Sequence, residues 1–146
     1  MAEKAVCLAG VEPVTCTPIG CVERDGADRD LRGDDLRARP ARIILDPAVL
    51  DGLLGLEAGS DVLVLCYFHQ ADRDVLQVHP RGDLDRPLRG VFATCSPVRP
   101  NPIAVTSARI QRIDGNVIHL VGLDALDGSL VLDIKSLVPT FHEPYR

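Results

Sequence analysis

Arg89-Gly-Val-Phe-Ala-Thr-Cys-Ser-Pro-Val-Arg-Pro-Asn-Pro-Ile103 divides into two halves of different character. Gly90 to Thr94 is β-branched and aromatic, the composition of a strand. Pro97, Pro100 and Pro102 follow, and each pushes the residue before it out of the helical region. Ser96, Arg99 and Asn101 are therefore extended, which predicts a stiff left-handed rod. At three residues per turn, Ser96 and Arg99 share one edge while Val98 and Asn101 share another. Prolines lack the backbone donor that a central strand needs, so the rod belongs outside a sheet. A plain reading is a stiffened surface loop. A functional one is a guanidinium and a carboxamide held ready at low entropic cost.

Outward from this stretch the pattern is that of strands. Ile103–Ile113 and Asn116–Val121 are joined at Asp114-Gly115, a strong hairpin signal. Upstream, Asp61-Val-Leu-Val-Leu-Cys-Tyr-Phe68 is a buried strand ending in His69-Gln70. Val75–Val78 is a shorter one, and Ala41–Leu45 another. Asp46 followed by Pro47 marks the start of a helix that closes before Gly55. Downstream, a turn at Asp127-Gly128 leads into Leu130–Ile134, and Val14–Val22 supplies an edge strand near the N-terminus. The expectation is a mainly β fold: a small closed or nearly closed β-barrel of six or seven strands, with one short helix and long loops. Val117 and Val121 face one way in their strand and Ile118 and Leu120 the other. Apolar residues on both faces predict a barrel wall that also packs on a partner subunit.

The chain of 146 residues fits a single domain over 1–146. Its 46% hydrophobic content excludes a disordered protein, and no apolar run reaches a membrane span. Met1-Ala-Glu-Lys-Ala lacks the features of a signal peptide, so a cytoplasmic location is expected. Glu23 to Arg42 alternates arginine with aspartate and reads as a solvated, mobile charged loop. The net charge of −5 argues against a general grip on extended nucleic acid. No Gly-rich turn joins a strand to a helix, which excludes a Rossmann-type cofactor site. The five cysteines form no close Cys-x-x-Cys pair, so no metal site is expected and buried structural thiols are the default. Cys95, two residues before Pro97, is the exception, a thiol that could ionise beside Arg99.

Gly90-Val-Phe-Ala-Thr-Cys-Ser-Pro-Val-Arg-Pro-Asn-Pro-Ile103 closely resembles the signature of the TsaA-like (TrmO-type) proteins. Members are small β-barrel S-adenosylmethionine enzymes, among them methyltransferases of threonylcarbamoyladenosine in tRNA. The resemblance runs from about Pro18 to Leu137, is strongest over 61–137, and matches Glu23 to Arg42 poorly. Three clusters match beside the signature: Phe68-His69-Gln70, Leu123 to Ser129, and Asp133-Ile-Lys135. It implies a cofactor site for S-adenosyl-L-methionine made by His69, Gln70, Cys95, Arg99, Asn101, Pro102, Leu126, Asp127, Gly128 and Ser129. Arg99 suits a carboxylate, Asn101 an adenine edge, and Gly128 a close backbone approach. For catalysis it points to Asp133, His69 and Lys135, with a carboxylate or imidazole taking the proton of the attacking amine.

The sequence also departs from the pattern. Cys95 stands where arginine is usual, Val98 where a polar or aromatic residue is, Leu130 where a proline is, and Ser136-Leu137 where Pro-Tyr is. Many tRNA-modifying members also continue beyond the point where this chain ends. Three readings stay open at this stage. One is a homodimeric methyltransferase of tRNA adenine. Another is the same cofactor site with a small-molecule or thiol acceptor. The third is a non-catalytic module that senses the cofactor or a metal.

Overall fold

The computed structural model describes residues 3–6 and 8–137. Six antiparallel strands close into a barrel: β1 (Gly20–Glu23), β2 (Ala41–Leu45), β3 (Asp61–Tyr67), β6 (Ile103–Asp114), β7 (Val117–Val121) and β8 (Leu130–Ser136). Their order around the wall is β1-β2-β7-β6-β3-β8, and β8 returns to pair with β1. Two 2-residue strands, β4 (Gln77–Val78) and β5 (Arg89–Gly90), form a separate hairpin that stands off the barrel. The expected fold class is the observed one.

Alternation explains the wall. Val62, Val64 and Cys66 of β3 point inward and are buried, as are Ala41, Ile43 and Leu45 of β2, and Ile118 and Leu120 of β7. With Val22, Ala108, Ile110 and Val131 they fill the interior. The Cys66 thiol in this core is pushed up to about 11 by burial, so it stays protonated. Two register shifts, at Ile110/Arg112 between β6 and β7 and at Leu65/Cys66 between β3 and β8, bend the wall round. At Gly20 the sheet closes so tightly that a Cβ would collide with the backbone carbonyl of Ile44.

Several local expectations are met. Asp46 caps its helix by accepting from the Ala48 amide at 2.9 Å, although Pro47–Leu53 is a 3-10 helix. The β6–β7 hairpin turns at Gly115, where φ is +58°.

Three differ. Gly90 to Thr94 is not a strand: β5 ends at Gly90, and Val91–Ala93 forms a 3-10 turn. Arg99 explains this, because its guanidinium donates to the carbonyls of Val91, Thr94 and Ser96 at 2.6, 2.6 and 2.8 Å and winds the chain around itself. The N-terminal strand begins only at Gly20, two residues after Pro18. Cys16, Cys21 and Cys95 are exposed free thiols, so of the described cysteines only Cys66 fits the buried structural reading; Cys7 lies outside the described residues.

Glu23 to Arg42 is not a solvated loop along its length. It carries a 3-10 helix at Gly26–Asp28 and a short helix α1 at Gly33–Arg37, and it buries Arg24, Asp28 and Leu36. Alternating charge misleads here because the charges pair with the fold itself. Asp28, 2% exposed, takes a 2.9 Å bond from Arg39, and Arg24 reaches across to the loop before β8.

Candidate cofactor and acceptor clefts

The loop between β7 and β8, Gly122 to Ser129, is the best-anchored irregular segment. Arg24 is only 7% exposed, and its guanidinium donates to the carbonyls of Leu123, Ala125 (2.6 Å) and Leu36 (3.3 Å). The Arg24 amide donates to Asp127 Oδ1 at 2.8 Å. Backbone bonds between Val22 and Ser129, and between Gly128 and Val22, complete the tie to β1, each at 2.8 Å. Burial lowers the pKa of the Arg24 guanidinium, while Asp28, Asp124 and Asp127 raise it. A charge taken this far from water needs such partners.

The loop after β3 is laced to the proline segment. The Phe68 amide donates to the Pro102 carbonyl at 2.9 Å and the Arg99 amide to the Asp72 carbonyl at 3.1 Å. Arg73 donates to the Pro100 carbonyl at 2.7 Å and to Asn101 Oδ1 at 3.2 Å.

Between these two loops and α1 lies a cleft of about 410 Å³. Leu36, Phe68, Ala71, Pro97, Ala125 and Leu126 give it apolar walls, and His69, Gln70, Asp124, Asp127, Arg32 and Ser129 give it polar groups. Its size and its mix of apolar wall and sparse polar groups suit a small organic ligand. Gly128 sits in its rim at φ +78° with open space where a Cβ would stand, so backbone can approach a ligand there.

The expected cofactor residues separate on this geometry. His69, Gln70, Leu126, Asp127, Gly128 and Ser129 all line the cleft. Cys95 lines a neighbouring one. Arg99 lines neither, since its Nε and Nη2 are spent on the carbonyls of its own motif. Pro102 is buried behind the site, and Asn101 is exposed beside Arg73. Asp133 and Lys135 form a 2.7 Å ion pair in β8, opposite Leu65 and Leu63 of β3, and line neither cleft of this chain. The structure thus does not bring them to His69, the third expected catalytic residue.

A second and wider cleft of about 1520 Å³ opens beside the first. It runs between α1, the β4–β5 arm and Ala93–Val98, and Arg32, Arg37, His79, Arg81, Arg86 and Arg89 line it, opposed by Asp34, Asp35 and Asp124. The sequence reading gave Val75–Val78 as a strand, of which Gln77–Val78 forms, but not its pairing with Arg89–Gly90 or the arginine-lined arm between them. Its signal was there in the arginines at 81, 86 and 89 between two short β-prone stretches.

Residues 31–143 match the family described as the tRNA-methyltransferase O N-terminal domain. The chain belongs to that family. A probable S-adenosyl-L-methionine-binding protein of Methanocaldococcus jannaschii is 46% identical over 90 residues, which cover 59% of this chain and 71% of the relative. A tRNA (adenine(37)-N6)-methyltransferase of Mus musculus is 38% identical over 94 residues, covering 63% of this chain but 22% of that protein. The crystal structure of TrmO from Pseudomonas aeruginosa superposes with a TM-score of 0.68 at 29% identity, over 92% of this chain and 60% of the other. The chain therefore spans about three fifths of the solved protein it matches. The expected family is the observed one. No helix among the described residues is long and apolar enough to cross a membrane.

Proposed function

We propose that this protein is an S-adenosylmethionine-dependent methyltransferase whose acceptor is an adenine amine in tRNA. The carrying observation is the pairing of clefts: a small one of ligand size opens directly beside a wide one set with arginines. The residues of the small cleft fit the cofactor. Leu36, Phe68, Pro97 and Leu126 offer a dry wall, Gln70 and the Gly128 backbone offer hydrogen bonds, and the Asp127 carboxylate suits a cation. The bound cofactor would supply an electrophilic methyl group. The chain's own residues would hold it, exclude water and orient the acceptor, which is most of the work in such a displacement.

The wide cleft answers the objection raised by the net charge of −5. Phosphate contacts are local, and five arginines on one cleft supply them whatever the sum over the chain. Cys95, on that cleft in place of the usual arginine, leaves the arm's arginines to provide the positive charge. Calorimetry with S-adenosylmethionine is expected to show binding at about micromolar strength, and label from the methyl group is expected to appear in bulk tRNA. No binding would sink the whole reading. Binding with transfer only to small molecules would sink the tRNA acceptor and favour a small-molecule or thiol one.

The protein acts as a homodimer in this proposal. Ile103 and Val105 of β6 are 43% and 60% exposed, and they pair with Tyr67 and Leu65 on the outer face of the wall. The apolar residues expected to need a partner are thus concentrated at the start of β6. Val117 and Val121 of β7 are already half-buried. A two-fold contact would cover this face and bring the Asp133–Lys135 pair into the interface. Light scattering is expected to give twice 15.8 kDa, and Val105→Arg to halve it. A wild-type monomer that binds the cofactor would refute the dimer.

A further inference from the structure

The two clefts share two lining residues, Arg32 and Asp124. They stand on the boundary between a ligand in one and a ligand in the other. Arginine keeps its proton under all ordinary conditions, so of the two only the carboxylate can take one up. The other candidates stand elsewhere. His69 and Asp127 line the small cleft alone, and Asp127 already accepts a bond from the Arg24 amide. Asp34, Asp35 and His79 line the wide cleft alone, and His79 Nδ1 is engaged with the Arg86 carbonyl at 2.7 Å. Asp133 is paired with Lys135 and lines neither.

Asp124 is also held in place. It lies between Leu123 and Ala125, which are 0% and 2% exposed and whose carbonyls are bound by Arg24. Its Oδ2 accepts from Arg37 at 3.2 Å, and the Gly122 amide donates to the Arg37 carbonyl at 3.0 Å. The carboxylate is thus fixed to α1 and to the β7–β8 loop at once, at the boundary where the acceptor and the methyl donor would meet.

We infer that Asp124 is the catalytic base of the transfer, a step that rests on the methyltransferase reading above. The acceptor is an aromatic amine whose lone pair is delocalised, so attack gains from loss of its proton. The amine nitrogen forms the new N–CH3 bond as the S–CH3 bond breaks, and the S–C electron pair remains on sulfur, turning the sulfonium into a thioether. The N–H proton goes to the Asp124 carboxylate, which later releases it to water. Charge is conserved: the sulfonium's positive charge leaves as that proton.

Asp124→Asn keeps the shape and the acceptor oxygen for Arg37, and an exposed ion pair of this kind contributes little to stability. Calorimetry should therefore give a folded variant that binds S-adenosylmethionine within about fivefold of wild type. Its rate of methyl transfer to bulk tRNA should fall by about 100-fold or more, as for a lost general base. Asp124→Glu should recover part of the rate. A variant within threefold of the wild-type rate, or one whose rate loss merely follows a loss of cofactor binding, overturns the assignment. A wild type that binds the cofactor but methylates no tRNA fails earlier, at the proposed function, and takes this assignment with it.

Discussion

Arg24→Met is expected to destabilise the barrel by about 3–5 kcal/mol, the range for removing one partner from a buried charged network. The substitution keeps the length of the side chain and removes all its donors. Three carbonyls, those of Leu36, Leu123 and Ala125, then remain buried without the bonds that the guanidinium made. Asp28, at 2% exposure, keeps Arg39 but loses the second positive charge near it. For a domain of this size the loss corresponds to a fall of roughly 10 °C or more in midpoint temperature. Arg24→Lys should cost less, because an ammonium keeps the charge but cannot span three carbonyls as a planar fork does. Thermal and urea unfolding followed by circular dichroism would measure both. Loss of under 1 kcal/mol for Arg24→Met would mean that water replaces the guanidinium, and that the β7–β8 loop is held by its backbone bonds alone.

The wall of the barrel was legible because each strand carries its own signal. Asp61–Tyr67 alternates or runs apolar over its full length, Ala41–Leu45 begins and ends where its β-branched pair predicts, and Asp114-Gly115 fixes the hairpin. What could not be read locally was anything decided by a long-range bond to an arginine. Val91 to Thr94 has strand composition, but Arg99 takes its carbonyls and turns it. Glu23 to Arg42 has loop composition, but Arg24 is bound 99 and 101 residues away, at Leu123 and Ala125. A guanidinium in sequence shows its charge and hides which carbonyls it will meet.

The site divides in the same way. The family clusters at 69–70 and 126–129 do converge on one cleft, because both follow strands that end on the same side of the barrel wall. Arg99 and Asn101 were favoured for their fixed geometry, and bonds to the carbonyls of Val91, Thr94 and Ser96 and to Arg73 do fix them, outside both clefts. Asp124 lay within the matching cluster Leu123 to Ser129, but Asp133 was preferred as the base because it sits beside Lys135 in a short motif of the family. Only the arrangement of α1 against the loop places Asp124 between the clefts.

Gly128→Val is expected to lower cofactor affinity by about 100-fold or more while leaving a folded barrel. Two effects combine. At φ +78° a β-branched residue is strained, which costs about 1–2 kcal/mol of stability. No steric clash adds to that strain, since a Cβ at Gly128 meets no atom within 4 Å. Gly128 lines the small cleft, however, and a branched side chain there is expected to take volume a ligand needs and hold it off the loop backbone. Each hydrogen bond lost in such a site costs about 1–3 kcal/mol, and two of them suffice for the expected change in affinity. Gly59→Val is the matched control: φ is +91° there, nothing stands within 4 Å, and the residue lines neither cleft. It should lose similar stability and no affinity. Calorimetry of both variants with S-adenosylmethionine separates strain from obstruction. Equal affinities for the two would remove the β7–β8 turn from the cofactor site and move the search to the far side of the barrel mouth.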